Sequence, residues 1–435
     1  LSILKKHLQG IHVDHRKNTM NHAIETMPTP DIVYISMSQH IGAPCEPLVS
    51  VGDHVKIGQP IGNSEAFISA PVHSSVSGKV TNIEEVMSSL GTMDKTIIIK
   101  TDKKQELWED IKIPTAETKE EFIKAIRDSG LVGLGGAAFP THVKYNPRNL
   151  DEVDTLIVNG AECEPYITSD YRTMLEHTQD IVNGILLIMK HLELKQCYIG
   201  IEENKPEAIE RLNSFLSTFP NIKVITLDSR YPQGAERVLI YETTGKVLPP
   251  GKLPADIGVI VSNITSIAFL AKYFRTGVPL ISKVVTVDGD AVSTPKNVRV
   301  PIGTKIYEVI NFCGGYKKPP KKIIFGGPMM GRAIYDDGKP IIKNNNAILA
   351  FDEDQALIPN ETACINCGRC VQACPLNLMP TAIDKAYKRN DIDALKNLNV
   401  AICMECGCCS YVCPAKKQLS LVNKLSKALV KEAGK

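Results

Sequence analysis

Nine of the chain's thirteen cysteines fall between Cys364 and Cys413. Residues 364–375 read CINCGRCVQACP, and residues 403–414 read CMECGCCSYVCP. Both carry the spacing C-x2-C-x2-C-x3-C-P, displaced by 39 residues. Cys364, Cys367, Cys370 and Cys374 align with Cys403, Cys406, Cys409 and Cys413, Pro375 with Pro414, and Gly368 with Gly407. Thiolates at these intervals wrap three corners of an iron–sulfur cubane, and the fourth ligand crosses over from the other motif. The expected ligand sets for two [4Fe–4S] clusters are therefore Cys364, Cys367, Cys370 with Cys413, and Cys403, Cys406, Cys409 with Cys374. Zinc knuckles also use C-x2-C pairs, but a third cysteine two residues on and a Cys-Pro are superfluous to them. The repeat sets Cys408 opposite Arg369, which cannot ligate iron, so Cys408 is expected to be a packing residue beside a cluster. Cys45, Cys163, Cys197 and Cys313 are scattered and read as buried free thiols.

One-electron centres need a donor, and the next candidate is GLVGLGGAAFPTHVKYNP at 130–147. Gly133, Gly135 and Ala138 satisfy G-x-G-x-x-[GA], but a dinucleotide fingerprint follows a strand, whereas here the helical EEFIKAIRDSG precedes it. Four glycines, two alanines and a following basic residue nonetheless suit close backbone approach to something flat or phosphorylated. From about Thr118 to Phe274 helix and strand alternate. VDTLIVNG, CYIGIE and IKVITL read as strands. YRTMLEHTQDIVNGILLIMKHLEL reads as one long helix, with Leu175, Val182, Ile185, Leu186, Met189 and Leu192 on one face, and KPEAIERLNSFLST as another. Such alternation predicts a parallel sheet covered by helices.

GLGGAAFPTHVK resembles the G-x-G-G-A-G-F-P-T-x-x-K loop of the flavin-bearing, NADH-oxidising subunit of respiratory complex I. In the same order, NGAECEPY is similar to that family's N-x-D-E-S-E-P, YPQGAERVLI to its Y-x-x-G-E-E-T-A-L, and GVIVSNITSI to its V-N-N-V-E-T. The resemblance implies that Gly133, Gly135, Gly136 and Lys144 line the phosphate and ribityl chain of FMN. Asn159, Glu162, Gly234, Ser262 and Asn263 would reach the flavin ring and its tail. Phe139 would stack on NADH, and Glu164 and Glu236 would hold it. Ala161, Ala235 and Ser262 stand where the family pattern has an acid, a Glu and an Asn.

VGDHVKIGQPIGNSEAFISAPVHSSVSGKV, within 41–83, resembles a lipoyl or biotinyl carrier domain, a barrel-sandwich of short strands. The hairpin Asn63–Ser69 lacks the lysine a carrier needs, which favours a docking role over a swinging arm. Residues 280–316 resemble the β-grasp (SLBB-like) domain that follows the flavin domain in complex I, and GGPMMG at 326–331 resembles the return into that flavin domain. The expected organisation is multidomain α/β: an N-terminal segment with barrel-sandwich at 1–115, an FMN/NADH domain at 116–275, a β-grasp domain at 276–335, a linker at 336–360, and an α-helical dicluster ferredoxin-like domain at 361–435. His7, His12, His15 and His22 have no accompanying cysteine and share no helical face, so packed or solvated histidines are expected.

In this order the domains resemble the C-subunit family (RnfC) of the Rnf complex, the ion-translocating ferredoxin:NAD⁺ oxidoreductase of bacteria. GIHVDHRKNT and QHIGAPCEPLVSVGD fit it too. The resemblance implies hydride exchange between NAD(H) and FMN, then single electrons through two [4Fe–4S] clusters to or from partner subunits, among them membrane subunits and a ferredoxin-like multi-cluster subunit. The alternative is a subunit of a soluble NADH-dependent flavin/iron–sulfur oxidoreductase such as a bifurcating hydrogenase. A non-enzymatic carrier is disfavoured by the missing lysine. The net charge of +2 gives no sign of a nucleic-acid binder. The apolar stretches Ile181–Leu192 and Val259–Phe274 are broken by polar residues, and LSILKKHLQG lacks a signal-peptide core. The expected location is the cytoplasmic face of the cell membrane, peripheral, held by partners. The tail AKKQLSLVNKLSKALVKEAGK, with Leu421, Val422, Leu425 and Leu429 at helical spacing, is expected to cap the cluster domain in preference to binding lipid.

Overall fold

The computed structural model describes residues 8–88 and 91–434, so His7 lies outside the described residues. Short strands near the N-terminus form two antiparallel sheets. Ile32–Ser36, Met93–Thr101, Gly78–Met87 and His54–Val55 make one; Glu46–Pro47, Pro60–Asn63 and Val72–His73 make the other. Alternate residues point inward, as the strand period requires, so Val33, Ile35, Ile97 and Ile99 are sealed with Val80 of the same sheet against Ile61 of the other. This is the expected barrel-sandwich. At the tip of its hairpin Phe67 is 72% exposed.

The middle of the chain folds as a parallel four-stranded sheet in the order Ile222–Leu227, Gln196–Glu202, Thr155–Asn159, Val259–Asn263. Helix Lys119–Asp128 starts at a capping box, with Thr118 accepting from the Glu121 amide and Glu121 reaching back. The single long helix expected after the first strand is two, Ser169–Glu176 and Thr178–His191, broken at His177 (φ −125°, ψ 31°). The Thr178 hydroxyl donates to the Met174 carbonyl at 2.6 Å and accepts from Arg211 Nε at 2.9 Å, a back-bond of the kind that bends helices. Val182, Ile185, Met189 and Leu192 are buried as expected, whereas Leu175 and Leu186 only pack on the rim of the core. The second strand of the sheet lies on one side of the first and the fourth on the other. The carboxyl ends of Thr155–Asn159 and Val259–Asn263 therefore form the topological switch point, where such sheets bind ligands.

A six-stranded mixed sheet follows, ordered Ile24–Thr26, Lys296–Pro301, Ser282–Asp288, Ala347–Phe351, Lys322–Phe325, Arg332–Ile334. This corrects the expected linker at 336–360. Ala347–Phe351 is an interior strand, buried at all five positions, parallel to Ser282–Asp288 and antiparallel to Lys322–Phe325. The unbroken apolar run AILAF suits a strand covered on both faces. Ile24–Thr26, expected with the first domain, joins the far edge of the same sheet.

The cluster domain shows its duplication in three dimensions. Helices Arg369–Gln372 and Cys408–Tyr411 begin 39 residues apart, as do Pro380–Lys388 and Leu419–Glu432. Left-handed backbone recurs at the same offset: Asn366 and Glu405, Gly368 and Gly407, Asn377 and Lys416. The tail is a helix that packs on Pro380–Lys388. It buries Leu419, Asn423 and Ser426, while Leu421 and Leu425 stay exposed, so the docking face is rotated from the expected stripe. Among the described residues, no helix is long and apolar enough to cross a membrane.

Candidate functional site

The glycine loop, the two strand ends at the switch point and the start of helix Glu236–Thr244 converge. Asn159 and Asn263 are register partners on neighbouring strands. Asn159 donates to the Gly234 carbonyl at 2.8 Å and accepts from the Ala161 amide at 3.1 Å. Asn263 caps its helix, accepting from the Thr265 and Ser266 amides, and donates to Asp170 at 2.7 Å. Ser262 shares a 2.6 Å hydrogen bond with the Tyr145 hydroxyl. Lys144 donates to the Val261 carbonyl at 3.1 Å and stands 3.8 Å from Glu236. The predicted phosphate ligand and one predicted NADH ligand are therefore neighbours.

Four glycines divide the work. A Cβ at Gly135 would run into the Asn263 amide, and one at Gly234 would come within 2.6 Å of the Ala161 carbonyl, so both are required for loop packing. A Cβ at Gly136 would meet nothing within 4 Å, and one at Gly133 only Phe139 backbone at 3.8 Å. Open space thus lies in front of the loop beside Lys144, a cradle suited to a phosphorylated planar group. These residues fit FMN.

Two acidic candidates do other work. Glu162 is buried and its carboxylate accepts from the Asp170 amide at 2.7 Å and the Tyr171 amide at 3.2 Å, capping helix Ser169–Glu176. Burial pushes its pKa up to about 7. Glu164 accepts from the Met329 and Met330 amides at 3.0 and 2.8 Å, and a Cβ at Gly327 would collide with it. It holds the GGPMMG loop against the flavin domain, and burial lifts its pKa also to about 7. Both carboxylates are thus engaged by backbone amides in this arrangement. Phe139 and Glu236 remain as NADH candidates.

Sequence reasoning missed the residues that tie the cradle down. Lys17 donates to the carbonyls of Glu162, Glu164 and Ile167 at 2.6–2.8 Å, and burial lowers its pKa. It lies in GIHVDHRKNT, where only a lysine within a run of histidines hinted at it. Lys343, fully buried, donates to the carbonyls of Pro71 and Gly130 at 2.7 and 2.8 Å, joining barrel-sandwich, glycine loop and β-grasp segment.

Among the described residues no three His, Cys, Asp or Glu gather as a single-ion site would need. The cysteines instead ring two cavities. Cys364, Cys367, Cys370 and Cys413 line one of about 110 Å³. Cys374, Cys403, Cys406 and Cys409 line a second, smaller one, with Cys408 also at its wall. The fourth cysteine of each motif has crossed to the other set, the arrangement two cubanes require. Amides of Asn366, Leu378 and Glu405 approach the sulfurs of Cys364, Cys374 and Cys403 at 3.4 Å. Cys408 is 1% exposed, packs against Cys163 and Tyr231, and its sulfur lies 3.8 Å from the Tyr231 carbonyl. Cys45, Cys163, Cys197 and Cys313 are buried free thiols.

Fold and site together define a flavin-domain protein of the complex I type with a dicluster tail. Residues 5–104 match the RnfC barrel sandwich hybrid domain, 126–272 the Nuo51 FMN-binding domain, 284–333 the SLBB domain and 356–414 the 4Fe-4S dicluster domain. The chain is 44% identical over 388 residues to the C subunit of the proton-translocating ferredoxin:NAD(+) oxidoreductase complex of Clostridium ljungdahlii, covering 88% of this chain and 84% of that one. It is 40% identical to the C subunit of the Na(+)-translocating complex of Acetobacterium woodii, over 90% of this chain and 89% of that one. The C subunit of the ion-translocating oxidoreductase complex of Rhodobacter capsulatus is 37% identical, over 88% and 75%. The chain belongs to the C-subunit family of ion-translocating ferredoxin:NAD(+) oxidoreductase complexes. An NAD+-reducing [NiFe]-hydrogenase structure shares its fold at a TM-score of 0.51 and 17% identity; the match covers 73% of this chain and 61% of the hydrogenase chain.

Proposed function

We propose that this chain is the NAD(H)-binding electron-transfer subunit of an ion-translocating ferredoxin:NAD⁺ oxidoreductase complex. FMN, when bound, supplies the chemistry that converts two-electron exchange with NAD(H) into single-electron steps. The residues do the rest. Gly133 and Gly136 let backbone approach the flavin, Lys144 supplies a positive charge for its phosphate, and Asn159, Gly234, Ser262 and Asn263 fix the walls. Phe139 and Glu236, at the open side of the cradle, would receive NADH. The eight cysteines of the two rings hold the clusters that carry electrons to or from other members of the complex, a ferredoxin-like multi-cluster protein being the partner we favour. The chain would sit at the cytoplasmic face of the membrane, held by those partners.

The observation that carries this reading is adjacency: the loop around Gly234 that walls the cradle also touches the second cysteine ring, through Tyr231 and Cys408. The hydrogenase-type alternative is not favoured, since the barrel-sandwich match and the full-length relatives point to the translocating complex. The test is an anaerobic spectrum of the purified, reconstituted chain. Flavin and iron–sulfur absorption should both bleach with NADH, and Lys144→Ala should lose most of its flavin while keeping its iron. A Lys144→Ala chain with full flavin content would remove that residue from the phosphate site.

A further inference from the structure

We infer that Tyr231 is a positioning residue for electron transfer, fixing the cluster held by Cys374, Cys403, Cys406 and Cys409 against the flavin cradle and making that cluster the one that exchanges electrons with the flavin. The inference rests on the functional reading above and adds an order to the two clusters.

Tyr231 is fully buried between the flavin domain and the cluster domain. Its hydroxyl donates to the Cys406 carbonyl at 2.7 Å. Its amide and carbonyl are both paired with Ile11 at 2.9 Å, so the backbone is held independently of the side chain. Three residues on, Gly234 accepts from Asn159 at the switch point and donates to the Cys163 sulfur at 3.4 Å. Cys163 in turn packs with Tyr231 and Cys408. Contacts therefore run unbroken from the cradle wall to a ligand of the second cluster. Met329 packs on the same buried cluster as Cys406, and its carbonyl lies 3.1 Å from where a Cβ on Gly407 would stand. The first cavity is different. Ile365 and Cys367 at its mouth are exposed, whereas no residue lining the second cavity is. It faces outward, toward whatever docks there. The two electrons of one NADH then enter through the second cluster and come to rest one on each cluster, the proton going to solvent.

A phenylalanine would fill the same space, so the hydroxyl is not needed for packing. What it adds is a hydrogen bond to the peptide of a cluster ligand. That bond draws electron density from the ligand peptide and favours the more negative, reduced cluster.

The test uses the reconstituted full chain as Tyr231→Phe, Cys367→Ala (lacking the first cluster) and Cys406→Ala (lacking the second). Tyr231→Phe should keep its flavin and about eight irons. In a mediated dithionite titration followed by EPR, one cluster should move to a more negative potential. It should be the cluster whose signal survives in Cys367→Ala. No shift, or a shift in the signal that survives in Cys406→Ala, overturns the inference. In stopped flow with NADH, the remaining cluster of Cys367→Ala should be reduced at the parental rate, and that of Cys406→Ala more than tenfold slower. Equal rates would sink the order. Because the titration needs no NADH, a parent chain whose flavin NADH leaves unbleached would overturn the functional reading and leave the Tyr231 result readable.

Discussion

Cys408 and Cys409 are neighbours in different surroundings. Cys409 faces the ring with Cys374, Cys403 and Cys406, while Cys408 faces Tyr231 across the domain seam. Cys408→Ala should keep about eight irons per chain, whereas Cys409→Ala should lose a cluster; anaerobic iron analysis with EPR decides between them. Glu162 shows the same dependence on surroundings. Its folded-state pKa, about 7, lies above the ordinary 4.5, so the folded chain holds a proton that the unfolded chain has released. Its contribution to stability is complete below 4.5 and is lost as pH rises through 7. Denaturant unfolding across that range should show a shallower fall for Glu162→Gln than for the parent. An unchanged slope would mean the carboxylate is ionised throughout.

At the scale of elements, the GGPMMG loop is held to the flavin domain by one carboxylate. Glu164→Ala strips the Met329 and Met330 amides of their acceptor, a loss of about 1–3 kcal/mol. We expect faster hydrogen exchange across residues 327–331 with flavin content retained. Unaltered exchange together with weakened NADH-driven reduction would return Glu164 to the NADH site. The tip of the barrel-sandwich hairpin carries exposed Phe67 and no lysine.

At the scale of the molecule, three domains are stitched by buried polar groups and not by linkers. Lys343 bonds to two of them from a third, and Lys17 draws the N-terminal segment onto the loop that follows the first parallel strand. The tail helix docks through Leu419, Asn423 and Ser426, and Leu421 and Leu425 stay exposed among lysines. A helix already committed to protein gives little area for lipid. The isolated chain should therefore stay in the supernatant when spun with anionic liposomes at physiological salt; co-sedimentation would show direct membrane binding.

The sequence by itself determined whatever is written in local spacing. The two cysteine runs named their cross-over partners, because a cubane's geometry dictates intervals that no other common site shares. The alternation of strand and helix named the parallel sheet, and the glycine loop marked the cradle. Tertiary structure alone decided what each polar side chain meets. Glu162 and Glu164 sit in the motif as ligands would, yet backbone amides from a following helix and from a loop more than 160 residues away claim them. The strand Ala347–Phe351 was hidden in an apparent linker because its partners, Ser282–Asp288 and Lys322–Phe325, are set by sheet order and not by neighbours in sequence. Burial of a charge or an amide is a property of the whole packing, and spacing along one chain does not encode it.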